Sequence, residues 1–374
     1  MDKLAEISEK TERLTGLMEA ENLGGLLLNA QHNFAWATGG GSNGVDLNKE
    51  NGTSYLLIRR DGKRFALANN IELPRLFDEE ISSEHFEPVE MEWQREKLSF
   101  EVVIQKAREV LGNDQRIASD LYLHQQLQPI EGLIAKCRYV LTVAEINRYR
   151  RLCADAGIAI LNAISTFEAG ESETAISNKL CIALQQFGIV PIVSLVATDE
   201  RIEKYRHPVP KENVWRKVLM VVVCGKREGL IANLSRLICI GEVPAELKRR
   251  NEATGYVFAK LLSATRKGVS GSDLYQIASD AYAEQNFPNE INLHHQGGAT
   301  GYKSREWVIH PKSTEEVADC QAFAWNPTIT GAKAEETVLA IDDGIEYLTK
   351  TPGFPQISFQ IEGHDYSAPD ILSL

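Results

Sequence analysis

In the alternating run AKAEETVLAI at 332–341, Lys333 and Glu335 stand two residues apart, with Thr337 next in line. Successive side chains of a strand point to opposite faces, so these three share one face and a cation and a carboxylate point the same way. On a buried face the carboxylate needs a partner, and Lys333 or Arg305 can balance it. Glu335 placed there could hold or activate water, or bind a cationic group of a substrate. His207 lies in the Pro-bounded stretch Arg206-His207-Pro208-Val209-Pro210. On the residues alone His207 reads as an exposed loop histidine, and a functional imidazole is the alternative. His294 and His295 resemble a metal pair by type, but as strand neighbours they would face opposite ways, so one is expected to point inward. His310, followed by Pro311, reads as a loop histidine. The alternative for the whole set is structural: hydrogen-bonded histidines and an internal Lys333–Glu335 ion pair.

These side chains need elements to position them. Asn326-Pro327, a break at Gly331, the alternating run, an Asp-Asp-Gly turn at 342–344 and IEYLT read as two strands joined by a turn. The segment 217–240 reads as two buried strands around a turn at 226–229, and VPIVSLVAT before His207 as another. Helical spacing predicts helices over 143–169, 173–187, 244–265 and 272–285. Thr142 and Glu145 form a capping box at the first of these, which places a domain boundary near 140. Upstream, a helix over 2–22, the strand GLLLN, an aromatic segment over 33–41, a hairpin turning at Asp61-Gly62 and helices near 72–80 and 99–111, the last stopped at Gly112-Asn113, read as an α/β unit with a mixed sheet.

The 374 residues are 43% apolar and 25% charged, which suits about two globular domains. A net charge of −12 argues against nucleic acid or an anionic membrane as partner. The charged N-terminus lacks the apolar core of a signal peptide, and no stretch reaches the roughly 18–20 apolar residues of a span, so a cytoplasmic protein is expected. Six scattered cysteines without a CxxC pair suit reduced thiols rather than disulfides or zinc.

The segment 325–349 resembles the end of the catalytic domain in aminopeptidase P, prolidase, methionine aminopeptidase and creatinase, which write Glu-Pro, a gap, Glu-Asp-Thr-Val-Leu-Val, Asp-Gly and Glu-x-Leu-Thr. Ala35-Trp36-Ala37-Thr38-Gly39 and the "rxDG" step at Asp61-Gly62 are similar to the creatinase N-terminal domain. The resemblance implies an α/β fold: a creatinase-like N-terminal α/β domain over 1–140 and a pita-bread α+β domain over 141–374, in a homodimer whose N-terminal domain covers the site. It spans about residues 4–349, and the tail beyond has no functional reading. In metal-dependent members five ligands hold a dinuclear centre. Here the resemblance puts Val223, Asn233, Gly298, Asn326 and Glu335 at those positions, and Arg305-Glu306-Trp307 where the family writes His-Glu-x-Pro. One ligand in five survives, so no catalytic metal and no cofactor is expected. Creatinase uses a histidine in a context similar to that of His207 as its acid/base, and aminopeptidase P places a substrate-contacting histidine there. The expectation is therefore a metal-independent, creatinase-like hydrolase of a C–N bond in a small molecule or short peptide, with His207 and Glu335 catalytic. Asn233, His294, His295, Arg305, Glu306, Asn326 and Lys333 would bind substrate. One alternative is an inactive pseudo-peptidase that binds a small molecule, peptide or protein in the old cleft. A second is an Xaa-Pro peptidase with displaced ligands from His294, His295 and His310.

Overall fold

The computed structural model describes residues 3–112, 115–342 and 344–374, and the chain divides into two compact units, Met1–Glu145 and Ile146–Leu374. Asn113, at the expected helix stop, and Asp343, in the expected turn, lie outside the described residues.

In the first unit, six strands among the described residues form one mixed sheet. Its order is Glu87–Met91, Arg64–Asn69, Asn51–Arg59, Gly25–Ala30, Ile117–Ser119, Gln128–Pro129. The Asp61-Gly62 turn joins an antiparallel pair in which Leu57 faces Phe65. Leu27, Leu57, Leu67, Val103 and Ile104 are buried together on one side of the sheet, where the Glu101–Leu111 helix packs. The aromatic segment forms a helix, Gln31–Ala37, which buries Phe34 and Trp36. At the end of the unit, the Thr142 N–H donates to Glu145 Oε2 at 2.7 Å and the Glu145 N–H to Thr142 Oγ1 at 3.3 Å, the reciprocal pattern of a capping box. Glu145 also meets Lys10 Nζ at 2.7 Å, where both are buried.

The second unit holds two antiparallel-rich sheets flanked by the helices Glu173–Gln185, Ala245–Ala264 and Gly271–Glu284. The first sheet runs Val190–Thr198, Val218–Arg227, Leu230–Cys239, Ile371–Ser373. The runs Val218–Arg227 and Leu230–Cys239 are buried along nearly their whole length, as the continuous apolar sequence requires. The second runs Trp307–Val308, Gly297–Thr300, Ala322–Trp325, Glu336–Ile341, Gly344–Tyr347. An isolated bridge between Ser235 and Glu335 stitches the two together.

One sequence expectation changes here. The run 332–341 is not one strand: Ala332–Lys333 pairs with Thr328–Ile329 in a small hairpin around Gly331, whose φ of +91° suits glycine, and the chain re-enters a sheet only at Glu336. The tail, without a functional reading in the sequence, packs into the core, burying Phe354, Ile361 and Ala368. Gln356–Ile361 and His364–Pro369 form a hairpin, and Ile371–Ser373 adds a parallel strand beside Leu230–Cys239. Phe359 of that hairpin lies so close to Gly255 that a Cβ there would fall 2.8 Å from its ring.

Ser172 and Ser270 cap two of the helices, each Oγ accepting from a backbone N–H three residues on, Ala175 at 3.2 Å and Asp273 at 3.1 Å. Ser172→Ala and Ser270→Ala are each expected to cost about 1 kcal/mol, read as a lower urea midpoint at unchanged slope.

Candidate functional site

Two carboxylates position the histidines. Glu173, fully buried in the first turn of its helix, is ion-paired with Arg201 and accepts from the Thr198 N–H at 2.9 Å and the Lys211 N–H at 3.0 Å. It thereby ties both ends of the loop that carries His207. Glu290 does the same between three segments. Arg206 Nη2 donates to Glu290 Oε2 at 2.6 Å and to Thr330 Oγ1 at 2.8 Å, while the Thr330 N–H and hydroxyl donate to the two Glu290 oxygens at 3.1 and 2.8 Å. The His207 loop, the turn before His294 and the 328–333 hairpin are thus drawn together.

His207, His294 and His295 meet as a result. Nε2 of His207 and Nε2 of His294 are 3.2 Å apart, and the His294 and His295 rings stack with centroids 4.4 Å apart. The expectation that only one of the adjacent pair points inward is corrected. Residues 294 and 295 lie in a turn ahead of the Gly297–Thr300 strand, so strand alternation does not apply to them. His310 does not join the cluster; its Nδ1 accepts from the Lys312 N–H in an exposed turn.

Glu335 is 2% exposed and lies between two cations: Lys333 Nζ is 3.2 Å from Oε2 and Arg305 Nη2 is 3.2 Å from Oε1. Burial raises its pKa, but the charges of Lys333 and Arg305 outweigh this and hold it below the usual value. Burial, the Lys333 cation and Arg305 push His207 down against the opposing pull of Glu335. Burial with Arg305 and Lys333 takes His295 to about 4, and burial with Lys333 lowers His294 strongly. All three imidazoles are therefore neutral at neutral pH.

The other expected residues are distributed around this centre. Asn233 is buried, its N–H and the hydroxyl of Thr337 bonded reciprocally at 2.8 and 3.0 Å, and its Nδ2 donates to Ile231 O and Thr300 Oγ1. Asn326 is buried beside the histidine turn, its N–H donating to Gln296 O at 3.0 Å. Both amide oxygens are buried with no hydrogen-bond partner among the described residues. Glu306 turns away into its own loop, where Oε1 accepts from the Tyr302 and Lys303 N–H groups at 3.2 and 3.3 Å.

The pairing register also moves one assignment. Cys224 stands opposite Asn233 and Val222 opposite Ser235, whereas Val223 pairs with Leu234 on the reverse face. The side chains beside Asn233 are therefore Val222 and Cys224. Burial first, then the Glu335 charge, pushes the Cys224 thiol up to about 12, so it is a neutral thiol beside the ion triad. Cys224, Glu290 and Arg206 escaped the sequence reading; a consistent hairpin register would have found Cys224, while the Glu290 contacts are non-local and leave no sequence signal.

The donor set does not suit a two-ion carboxylate centre. Valine, a neutral thiol and two asparagines flank a single carboxylate already paired with two protein cations. At Gly298 no side chain fits at all, because a Cβ there would lie 2.0 Å from Trp307 O.

Two outcomes follow for stability. Glu335→Gln strands Lys333 and Arg305 without their counter-charge and is expected to cost about 3–5 kcal/mol near neutral pH. Because the folded-state pKa of Glu335 is lowered, its contribution is present above the unfolded value of about 4.3 and is lost as pH falls through the folded value. The gap between wild type and variant in urea titrations should therefore narrow below about pH 4. Gly298→Ala is expected to cost about 1–3 kcal/mol or more through overpacking. Gly301→Ala, whose Cβ would meet only Glu306 Oε1 at 3.6 Å, should cost less by the same assay.

Comparison with known proteins supplies the family. Residues 146–346, more than half of the chain, match the model of metallopeptidase family M24. Xaa-Pro dipeptidase of Pyrococcus horikoshii is 21% identical over 236 residues, 61% of this chain and 67% of that protein. Recombinant prolidase from Thermococcus sibiricus superposes with a TM-score of 0.79 at 17% identity, covering 100% of both chains. Xaa-Pro dipeptidase from Bacillus anthracis gives 0.77 at 18% identity, covering 98% of this chain and 100% of that one. The fold is the one the sequence led us to expect, an α/β domain followed by a pita-bread α+β domain. The chain belongs to metallopeptidase family M24 and resembles its Xaa-Pro dipeptidases.

Proposed function

We propose that the second unit hydrolyses a C–N bond of a small substrate without the two-ion centre of its relatives. The observation that carries this reading is the ion triad: Glu335 has each oxygen paired at 3.2 Å, to Lys333 and to Arg305. The protein's own cations stand in the place of metal charge there. The triad is one positive charge in excess, so it draws an anionic group of the substrate, or the oxyanion that forms on the carbonyl. His207, neutral and exposed, takes a proton from water as the oxygen attacks the carbonyl carbon. The C–N bond then breaks and the amine leaves with the proton that His207 returns, giving an acid and an amine from amide and water. Asn233 and Asn326, each with an unpaired buried oxygen, supply polar groups beside this path. Glu335 orders the cations rather than activating water, and Glu306 organises its own loop.

A second reading, a pseudo-peptidase that binds a small molecule or peptide without turnover, is favoured by one fact. Glu335 is buried with a cation 3.2 Å from each oxygen, which makes it a weak base for activating water. Under either reading the ligand is a small molecule or short peptide, and the resemblance adds a homodimer.

The test is amine release from dipeptides, including Xaa-Pro pairs, by protein stripped with chelator. Release that survives stripping and drops by about 10²-fold or more in His207→Ala is the expected result. Stripped wild type that is stabilised by a dipeptide against heat but releases no amine would instead establish the binding-only reading.

A further inference from the structure

The mechanism above uses one of the three clustered histidines, and the other two have no role in it. One ring nitrogen from each of His207, His294 and His295 lies within 4.8 Å of the other two. Nitrogens bound to one zinc at about 2.0–2.1 Å in tetrahedral geometry stand about 3.3 Å apart. The Nε2 atoms of His207 and His294 are separated by 3.2 Å. Nδ1 of His294 is buried and has no partner among the described residues, so this ring has no hydrogen bond on that side to explain its placement. The rings are also held by the Glu290 clamp rather than by chance contact, since Arg206 precedes His207 directly and Glu290 precedes the histidine turn. Burial and the neighbouring cations keep the imidazoles neutral, with lone pairs available.

We propose that His207, His294 and His295 form a binding site for one divalent transition-metal ion of the zinc class. The ligand set is imidazole alone, three donors with an open fourth position, unlike the carboxylate-rich two-ion centre of the family pattern. The cations that face it are Lys333, Arg305 and Arg206. Lys333 and Arg305 are paired with Glu335, and Arg206 with Glu290, so the ion meets an excess of one positive charge rather than three. Ligation and proton transfer draw on the same lone pair of His207. The consequence, which rests on the proposed hydrolysis, is that an ion held here silences the base.

The experiment titrates zinc into chelator-stripped full-length protein by calorimetry, with metal content after dialysis measured in parallel. One ion per chain is expected, with at least tenfold weaker binding in each of His207→Gln, His294→Gln and His295→Gln, all checked for native circular dichroism. Should His294→Gln fail to fold, the two exposed positions decide. Zinc binding that is absent, or undiminished in those variants, overturns the site. Cobalt substitution provides a separate readout: weak visible bands without a near-ultraviolet thiolate transition support imidazole ligation, whereas a strong thiolate transition overturns it by assigning the ion to a cysteine. In the amine-release assay zinc should inhibit wild type and chelator should restore it. Lack of amine release under all conditions would sink the hydrolase reading and leave the binding result standing.

Discussion

An ionised carboxylate that is 2% exposed loses nearly all its hydration, and in Glu335 that loss is offset by two cations at 3.2 Å. Much of the second unit is arranged to keep this triad assembled. Lys333 comes from the small hairpin two residues earlier and Arg305 from the turn before Trp307. The backbone of Glu335 is fixed by Ser235, whose N–H donates to Glu335 O at 3.2 Å.

The next residue repeats the arrangement on the opposite face. Glu336 pairs with the buried Arg236 at 2.8 Å and accepts from the Thr349 hydroxyl at 2.6 Å. Arg236 in turn reaches Thr349 O and Thr351 Oγ1. Adjacent glutamates thus point to opposite faces, and each meets an arginine. The two differ in charge balance: Glu335 has two cations and is held ionised, whereas burial pushes Glu336 up to about 6 against the pull of one. The face with the surplus cation is the one turned toward the histidines.

What the sequence showed and what it hid divide along local and non-local lines. The Asp61-Gly62 hairpin, the Thr142–Glu145 capping box and the strand Val190–Thr198 are written in contiguous residues, and each forms as its local chemistry dictates. Lys333–Glu335 was legible because alternation survives the break between them. The histidine pair was misread because the alternation argument presumes a strand, and the strand begins only at Gly297. Val223 was matched to a ligand position beside Asn233 by a pattern whose hairpin is here one residue shorter, and in a strand one residue flips inside for outside: Cys224, not Val223, stands opposite Asn233. The tail strand pairs with residues more than a hundred positions earlier, and neither its composition nor its spacing records that partner.

The charge around the histidines then decides what the site can accept. Lys333, Arg305 and Arg206 against Glu335 and Glu290 leave one positive charge. At about 6 Å and an effective dielectric near 20, one unit charge acts on another with about 3 kcal/mol. A substrate carboxylate gains that energy, and a dication loses about twice as much. Hard ions such as magnesium or calcium bind imidazole weakly and cannot recover the loss from three nitrogens. Zinc, nickel and copper bond to imidazole strongly enough to do so. Burial first, and then the neighbouring cations, lowers the histidine pKa values; on the two proposals above, the surplus charge favours an anionic substrate and ions with a high affinity for nitrogen.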